Sequence, residues 1–155
     1  FENGIGVVTV PETRWRRCDI KSIALLPNVL AKQDARDAGA YEAWFVDEDG
    51  FVTEGSSTNA WIVDADGNLV TRQTDSSILS GITRRTLLEL AGKAGVHVIE
   101  RSFTVDEAKH AREAFISSAT SFVLPVVRID GEPVGKGQPG PVAMQLETLY
   151  RRYAV

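Results

Sequence analysis

Two Asp-Gly pairs, Asp49-Gly50 and Asp66-Gly67, constrain this chain most, because each stands between short apolar runs rich in β-forming residues. Tyr41 to Val46 and Phe51 to Thr53 flank the first pair, and Ala60 to Val63 and Leu69 to Thr71 flank the second. Asp-Gly tolerates the left-handed backbone of a tight hairpin turn, so the spacing predicts two β-hairpins in tandem. Glu54 to Thr58 then falls in the turn between them. Ile5 to Val10, β-branched and stopped by Pro11, reads as an earlier strand, and Trp15 to Ile20 as the next. Phe115 to Ser117 and Phe122 to Ile129 read as later strands, with Asp130-Gly131 as a turn.

Helical periodicity alternates with these runs. Leu26, Val29, Leu30 and Gln33 continue toward Ala38, and Gly39 is a C-terminal stop. Leu87, Leu90, Ala91 and Ala94 share one face of a helix from Ile82 to Ala94, closed by Gly95. Thr104-Val105-Asp106-Glu107 offers a capping box, in which each of the outer side chains satisfies an orphan amide. Val142, Leu146, Leu149 and Tyr153 form the expected buried stripe of a final helix. At 155 residues, with no internal repeat or linker, the pattern predicts a single α/β domain over residues 1–155.

Charge excludes some roles. Lys and Arg number 17 against 21 Asp and Glu, a net charge of −4 without a long run of either sign, which argues against nucleic acid and anionic membrane as partners. Cys18 is the sole cysteine and no stretch approaches the roughly 20 apolar residues that span a bilayer, so a cytoplasmic protein is the expectation. The chain opens on Phe1 and its sole methionine is Met144, so it reads as a piece of something longer. His97, in a strand run, and His110, near a helix end, have no metal-ligand spacing with Cys18. Gly131, Gly135 and Gly137 read as turn glycines, and Trp15, Trp44 and Trp61 as core or interface residues in strands.

Three short segments carry chemistry. Lys21, in Arg17-Cys18-Asp19-Ile20-Lys21-Ser22, falls at the end of a strand run. A lysine amine ionises near 10.4, so a nucleophilic role needs neighbours that favour its neutral form or an aldehyde that captures it. Arg14, Arg16 and Arg17 offer like-charge depression; taken alone, Lys21 would be a solvated surface amine. Glu54, ordinarily an exposed turn residue, precedes Gly55, Ser56, Ser57 and Thr58, whose small size allows close backbone approach and whose hydroxyls are donors. Ser80-Gly81-Ile82-Thr83 opens a helix, so its amides should be the unpaired donors of a helix N-terminus, a natural phosphate site. The bland alternative is an ordinary helix capped by Ser80. Arg84 and Arg85 weigh against it, since first-turn cations oppose the helix dipole unless an anion or acidic partner is near.

An amine, a carboxylate and a phosphate cradle in this order resemble the class IV, or fold type IV, pyridoxal-phosphate-dependent aminotransferases, from about Trp15 to the C-terminus. Within them, Cys18-Asp19-Ile20-Lys21-Ser22 and Glu54-Gly55-Ser56-Ser57 are most similar to the D-amino-acid aminotransferases. Branched-chain aminotransferases and aminodeoxychorismate lyases typically carry Asn-Tyr-Leu shortly after the lysine, where this chain has Leu25-Leu26-Pro27.

The resemblance implies the larger, C-terminal domain of such an enzyme, a mixed sheet or pseudo-barrel flanked by helices, with a smaller N-terminal domain absent here. It implies pyridoxal 5'-phosphate as cofactor, Lys21 as the aldimine lysine and Glu54 as partner of the pyridine nitrogen. Leu79 would pack against the ring, Ser57 and Thr58 would line the site, and Gly81, Ile82 and Thr83 would hold the phosphate. Family members usually have a phosphate-binding threonine where this chain has Ala119, so Ser118, Thr120 or a backbone amide would substitute. The implied reaction is ping-pong transfer of an amino group from an amino acid, a D-amino acid by likeness, to a 2-oxo acid, in a homodimer. Alternatives are a lyase, branched-chain or R-amine transaminase on the same scaffold, or an incompetent homologue; Ala119 favours the last, and the joint presence of Lys21, Glu54 and Thr83 opposes it.

Overall fold

A computed structural model describes residues 3–154. Among them, nine strands form one sheet: β1 (Ile5–Pro11), β2 (Glu42–Val46), β3 (Val52–Gly55), β4 (Asn59–Val63), β5 (Leu69–Thr71), β6 (Val98–Glu100), β7 (Glu113–Ser118), β8 (Phe122–Ile129) and β9 (Glu132–Pro133). Four helices accompany them: α1 (Leu26–Asp37), α2 (Ile82–Lys93), α3 (Val105–His110) and α4 (Pro141–Ala154). The strand order is β3-β2-β1-β8-β7-β4-β5-β6, with β9 against β8. Pairs β1–β2 and β5–β6 are parallel and are bridged by α1 and α2, because a parallel neighbour needs a long crossover. Both Asp-Gly pairs make the expected hairpins, with Gly50 and Gly67 at φ of 84° and 87°.

The sheet curls until its two ends meet. Val52 N of β3 donates to Phe103 O, just beyond β6, at 3.0 Å, and Phe51 bridges Thr104. This is the pseudo-barrel flanked by helices that the resemblance implies. Strand β4 explains its stability, since both of its faces are buried. Ala60 and Ile62 point into the curl with Trp44, Phe103 and Ile116, whereas Trp61 and Val63 face α2 and α4 with Leu87, Phe115 and Leu146. At about 25 cal/mol per Å2 of apolar surface removed from water, a strand covered on both sides contributes more than an edge strand.

Four expectations need correction. Trp15 to Ile20 is not a strand: Ile20 N donates back to Arg17 O at 3.0 Å and Cys18 N to Ser76 O at 2.8 Å, so the segment turns instead of extending. Lys21 therefore sits on an irregular connection from β1 to α1, and Trp15 is half exposed. Helix α1 buries Ala31 and Ala35 against Ala43 and Phe45, leaving Leu26, Val29 and Leu30 outside; close packing on β2 selects the small residues. Helix α4 likewise buries Ala143, Leu146 and Tyr150, with Tyr153 exposed. Finally, Thr104 Oγ1 accepts from Glu107 N at 3.0 Å as expected, but the Glu107 carboxylate pairs with Arg101, so only half of the capping box forms. No described helix is long and apolar enough to cross a membrane.

Candidate active site

A cavity of about 660 Å3 opens where four connections converge: the segment after β1, the β3–β4 turn, the approach to α2 and the β7–β8 loop. That volume suits a cofactor-sized ligand. Lys21, Glu54, Ser57, Thr58, Leu79, Gly81, Ile82, Thr83, Ser118 and Ala119 all line it. Thr120 is not on the wall; its hydroxyl lies 3.2 Å from Ser118 Oγ, which also accepts from Ser121 N.

Lys21 reaches the cavity from an exposed loop, and its amine makes no hydrogen bond or ion pair with the described residues. Glu54 is its opposite in setting, being 6% exposed at the end of β3. Arg14 Nη1 donates to Glu54 Oε1 at 2.6 Å, Asn59 Nδ2 to Oε2 at 3.0 Å, and Leu79 N to both oxygens at 3.1–3.2 Å. Burial pushes the Glu54 carboxyl up to about 7, with Arg14 opposing the rise. Burial would also raise Glu12, but hydrogen bonds and charge from Arg14 overcome it and hold its carboxyl below the usual value.

Gly81, not Ser80, is the N-cap of helix α2, and no described side chain caps that end. The first-turn amides therefore remain available to an anion, which the helix dipole also favours. Arg84, one of the two first-turn arginines, has its acidic partner elsewhere: its Nη2 donates to Glu100 Oε1 at 2.6 Å and to Arg72 O at 2.8 Å. Thr83 Oγ1 lies 3.3 Å from the Tyr150 hydroxyl.

Residues 4–129 match the amino-transferase class IV family. The chain belongs to that family. It is 43% identical over 147 residues to the D-alanine aminotransferase of Bacillus licheniformis, a span of 95% of this chain and 51% of that protein. Identity to the D-alanine aminotransferase of Staphylococcus aureus strain COL is 44% over 154 residues, or 99% of this chain and 54% of that one. The branched-chain amino acid aminotransferase of Thermobaculum terrenum, solved in its PLP-bound holo form, superposes with a TM-score of 0.88 at 30% identity, covering 97% of this chain and 50% of that one. The chain thus spans about half the length of the curated relatives it matches.

Within this class IV fold, the structure adds residues that the sequence does not single out for these roles. Arg14, expected as a cation near Lys21, has its guanidinium engaged by Glu12 and Glu54. Asn59 ties three parts together: its amide donates to Glu54 and to Leu79 O, and its Oδ1 would lie 2.6 Å from a Cβ on Gly81, so any larger residue at Gly81 would displace Asn59. The small-residue run after Glu54 also behaves differently from expectation. The Ser57 and Thr58 hydroxyls lie 3.3 and 3.1 Å from Glu42 Oε2, donating into the protein instead of standing free toward the cavity. A buried carboxylate needing donors is the available signal, but Glu42 sits in an apolar strand run with nothing local to mark it.

Proposed function

We propose that this chain is the cofactor-binding domain of a pyridoxal-phosphate-dependent aminotransferase acting on D-amino acids, D-alanine first among them. The observation that carries the reading is one cavity wall that brings together a free amine at Lys21, a buried carboxylate at Glu54 and uncapped amides at the start of α2. These residues fit the cofactor: an aldehyde, a pyridine nitrogen and a phosphate each meet a complementary group. Higher identity to D-alanine aminotransferases than to the branched-chain enzyme supports the choice of donor.

Bound there, pyridoxal phosphate supplies an electrophilic carbon and an electron sink for the carbanion at the substrate Cα. The residues of this chain do the rest. Lys21 Nζ anchors the cofactor and carries the proton at Cα, a role served by placement on a loop outside the sheet's ladder. Glu54 holds a proton on the ring nitrogen, and Arg14 and Asn59 fix the carboxylate that does so. Leu79 would flank the ring and help exclude water. The amides of Ile82 and Thr83 would hold the phosphate, together with Ser118 and the backbone at Ala119. A 2-oxo acid accepts the amino group in the second half of the cycle.

The working unit is proposed to be a cytoplasmic homodimer. Trp15, Ile23, Leu26, Val29 and Leu30 form an exposed apolar rim beside the cavity, with Ile23 99% exposed, and a second copy is its proposed occupant. The groups that grip the substrate carboxylate are assigned to the half of the relatives' length that this chain does not span.

The deciding experiment is borohydride reduction in the presence of pyridoxal phosphate, followed by peptide mapping and a donor panel of D-alanine, branched L-amino acids and a chiral amine. A pyridoxyl label on Lys21 is expected, with turnover of D-alanine by a protein that carries this chain together with the remaining half of the relatives' length, and Lys21→Ala abolishes both. A label on another lysine, or near-normal turnover by Lys21→Ala, overturns the assignment.

A further inference from the structure

We propose that Glu42, a β2 residue absent from the cavity wall, is a positioning residue that holds the β3–β4 turn in the one conformation the cofactor site requires. The inference rests on the proposed cofactor reading and extends it to a residue that would touch neither cofactor nor substrate.

Glu42 is 0% exposed, and a carboxylate in that setting persists only if donors surround it. Its Oε1 accepts from Ala43 N at 2.8 Å and from Ser56 Oγ at 2.5 Å. Its Oε2 accepts from Thr58 Oγ1 at 3.1 Å and, at longer range, from Ser57 Oγ and N at 3.3 and 3.4 Å. Lys32 of α1, whose ammonium lies 3.4 Å from Oε1, supplies the countercharge. Three consecutive residues of the turn thus converge on one anion. Hydrophobic residues would fill the same volume without the desolvation cost, so packing alone does not account for a carboxylate here.

The turn is correspondingly tight. Gly55 N donates to Thr58 O at 2.7 Å, Ser56 N to Ala43 O at 3.0 Å, and Asn28 Nδ2 of α1 to Ser56 O at 2.8 Å. A Cβ on Gly55 would meet Thr58 Oγ1 at 2.0 Å and Glu42 Oε2 at 3.1 Å. Glu54 stands immediately before this turn and Asn59 immediately after it, and the two are hydrogen-bonded to each other. Fixing the turn from behind therefore fixes the angle at which Glu54 faces the cavity. The Ser56, Ser57 and Thr58 hydroxyls are thereby turned toward Glu42 instead of the ligand.

The test combines two readouts on Glu42→Gln, which keeps the shape and removes the charge, with Lys32→Met as a second variant that leaves Glu42 in place. In cofactor-free protein, hydrogen exchange at amides 55–59 is expected to quicken by about tenfold while the β4 amides 60–63 are unchanged. The pyridoxal phosphate dissociation constant is expected to rise by about tenfold, with the borohydride label still on Lys21. Lys32→Met should shift both in the same direction and by less. Unchanged exchange at 55–59 overturns the proposal, and so does faster exchange with cofactor affinity intact. An affinity loss matched by equally faster exchange at 60–63 also overturns it, because that pattern means general destabilisation. If wild-type protein takes up no pyridoxal phosphate, the cofactor reading falls and takes the site role of Glu42 with it; exchange at 55–59 then reports only whether Glu42 orders the turn.

Discussion

Arg14 Nη1 stands 2.6 Å from Glu54 Oε1 while Nη2 of the same guanidinium stands 2.8 Å from Glu12 Oε2, so one buried cation serves two carboxylates, and it lies over the Phe45 ring as well. The planar fork of arginine suits this shared duty in a way that a lysine ammonium would not.

Arg14→Met should therefore be costly, since it strands two carboxylates together, and removing one partner of a buried pair typically costs about 3–5 kcal/mol. Urea denaturation of the cofactor-free protein measures this directly. The double variant Arg14→Met/Glu54→Gln should recover part of the loss, as it removes the charge left unpaired; equal stability of the single and double variants would contradict the pairing.

The raised Glu54 carboxyl has a definite signature in pH. Its ordinary value is 4.5 and the folded value is about 7, so the unfolded chain gives up this proton first. As pH rises from 4.5 to 7, stability falls by about 3 kcal/mol from this group, at roughly 1.4 kcal/mol per pH unit, and is flat above. Glu12 runs the other way: its lowered carboxyl adds stability above its ordinary value near 4.5 that is lost as pH falls through its folded value. Urea midpoints across pH 4 to 8 should show about this slope, and Glu54→Gln should flatten it between 4.5 and 7 without removing the acid-side loss.

Gly81→Ala places a methyl 2.6 Å from Asn59 Oδ1 without any backbone strain, since φ at Gly81 is −62°. Asn59 must shift, and its bonds to Glu54 and Leu79 go with it. A loss of about 1–3 kcal/mol is expected, together with weaker binding of pyridoxal phosphate. Thermal melts and cofactor titration check both. Asn59→Ser in the same protein should make the added methyl cheaper, giving a less-than-additive double variant.

Leu26→Glu with Leu30→Glu puts two charges on the exposed face of α1, where Leu26 is 68% and Leu30 57% exposed. If that face seats a second copy, sedimentation should shift from dimer to monomer with the monomer's own melting little changed. Retention of the dimer would place the subunit contact elsewhere.

Elements that depend on local chemistry are legible in the sequence. Asp49-Gly50 and Asp66-Gly67 fold as hairpins because turn preference is set by the residues themselves, and α2 runs from Ile82 to Lys93 as its spacing indicates. Errors arise where a distant partner decides. Nothing near Trp15 announces that Arg14 will turn inward to Glu54, 40 residues away, and end any extended run. Helix α1 offers a plausible apolar stripe, but β2 accepts only Ala31 and Ala35 at close range. For the site, the order Lys21, Glu54, Gly81-Ile82-Thr83 is readable as a pattern, whereas Asn59 and Glu42 act through contacts that only the folded chain assembles.

The stretch from Trp15 to Leu25 lies outside every strand and helix, held by few backbone bonds, one of them Cys18 N to Ser76 O. Substitutions along it reshape the rim of the cavity while leaving the curled sheet's ladder untouched. Apart from Lys21, that stretch can therefore take up changes that suit new substrates at little expense in foldedness, whereas the same number of changes in β4, covered on both faces, would cost stability. The fold thus separates what lineages are free to vary from what they must keep.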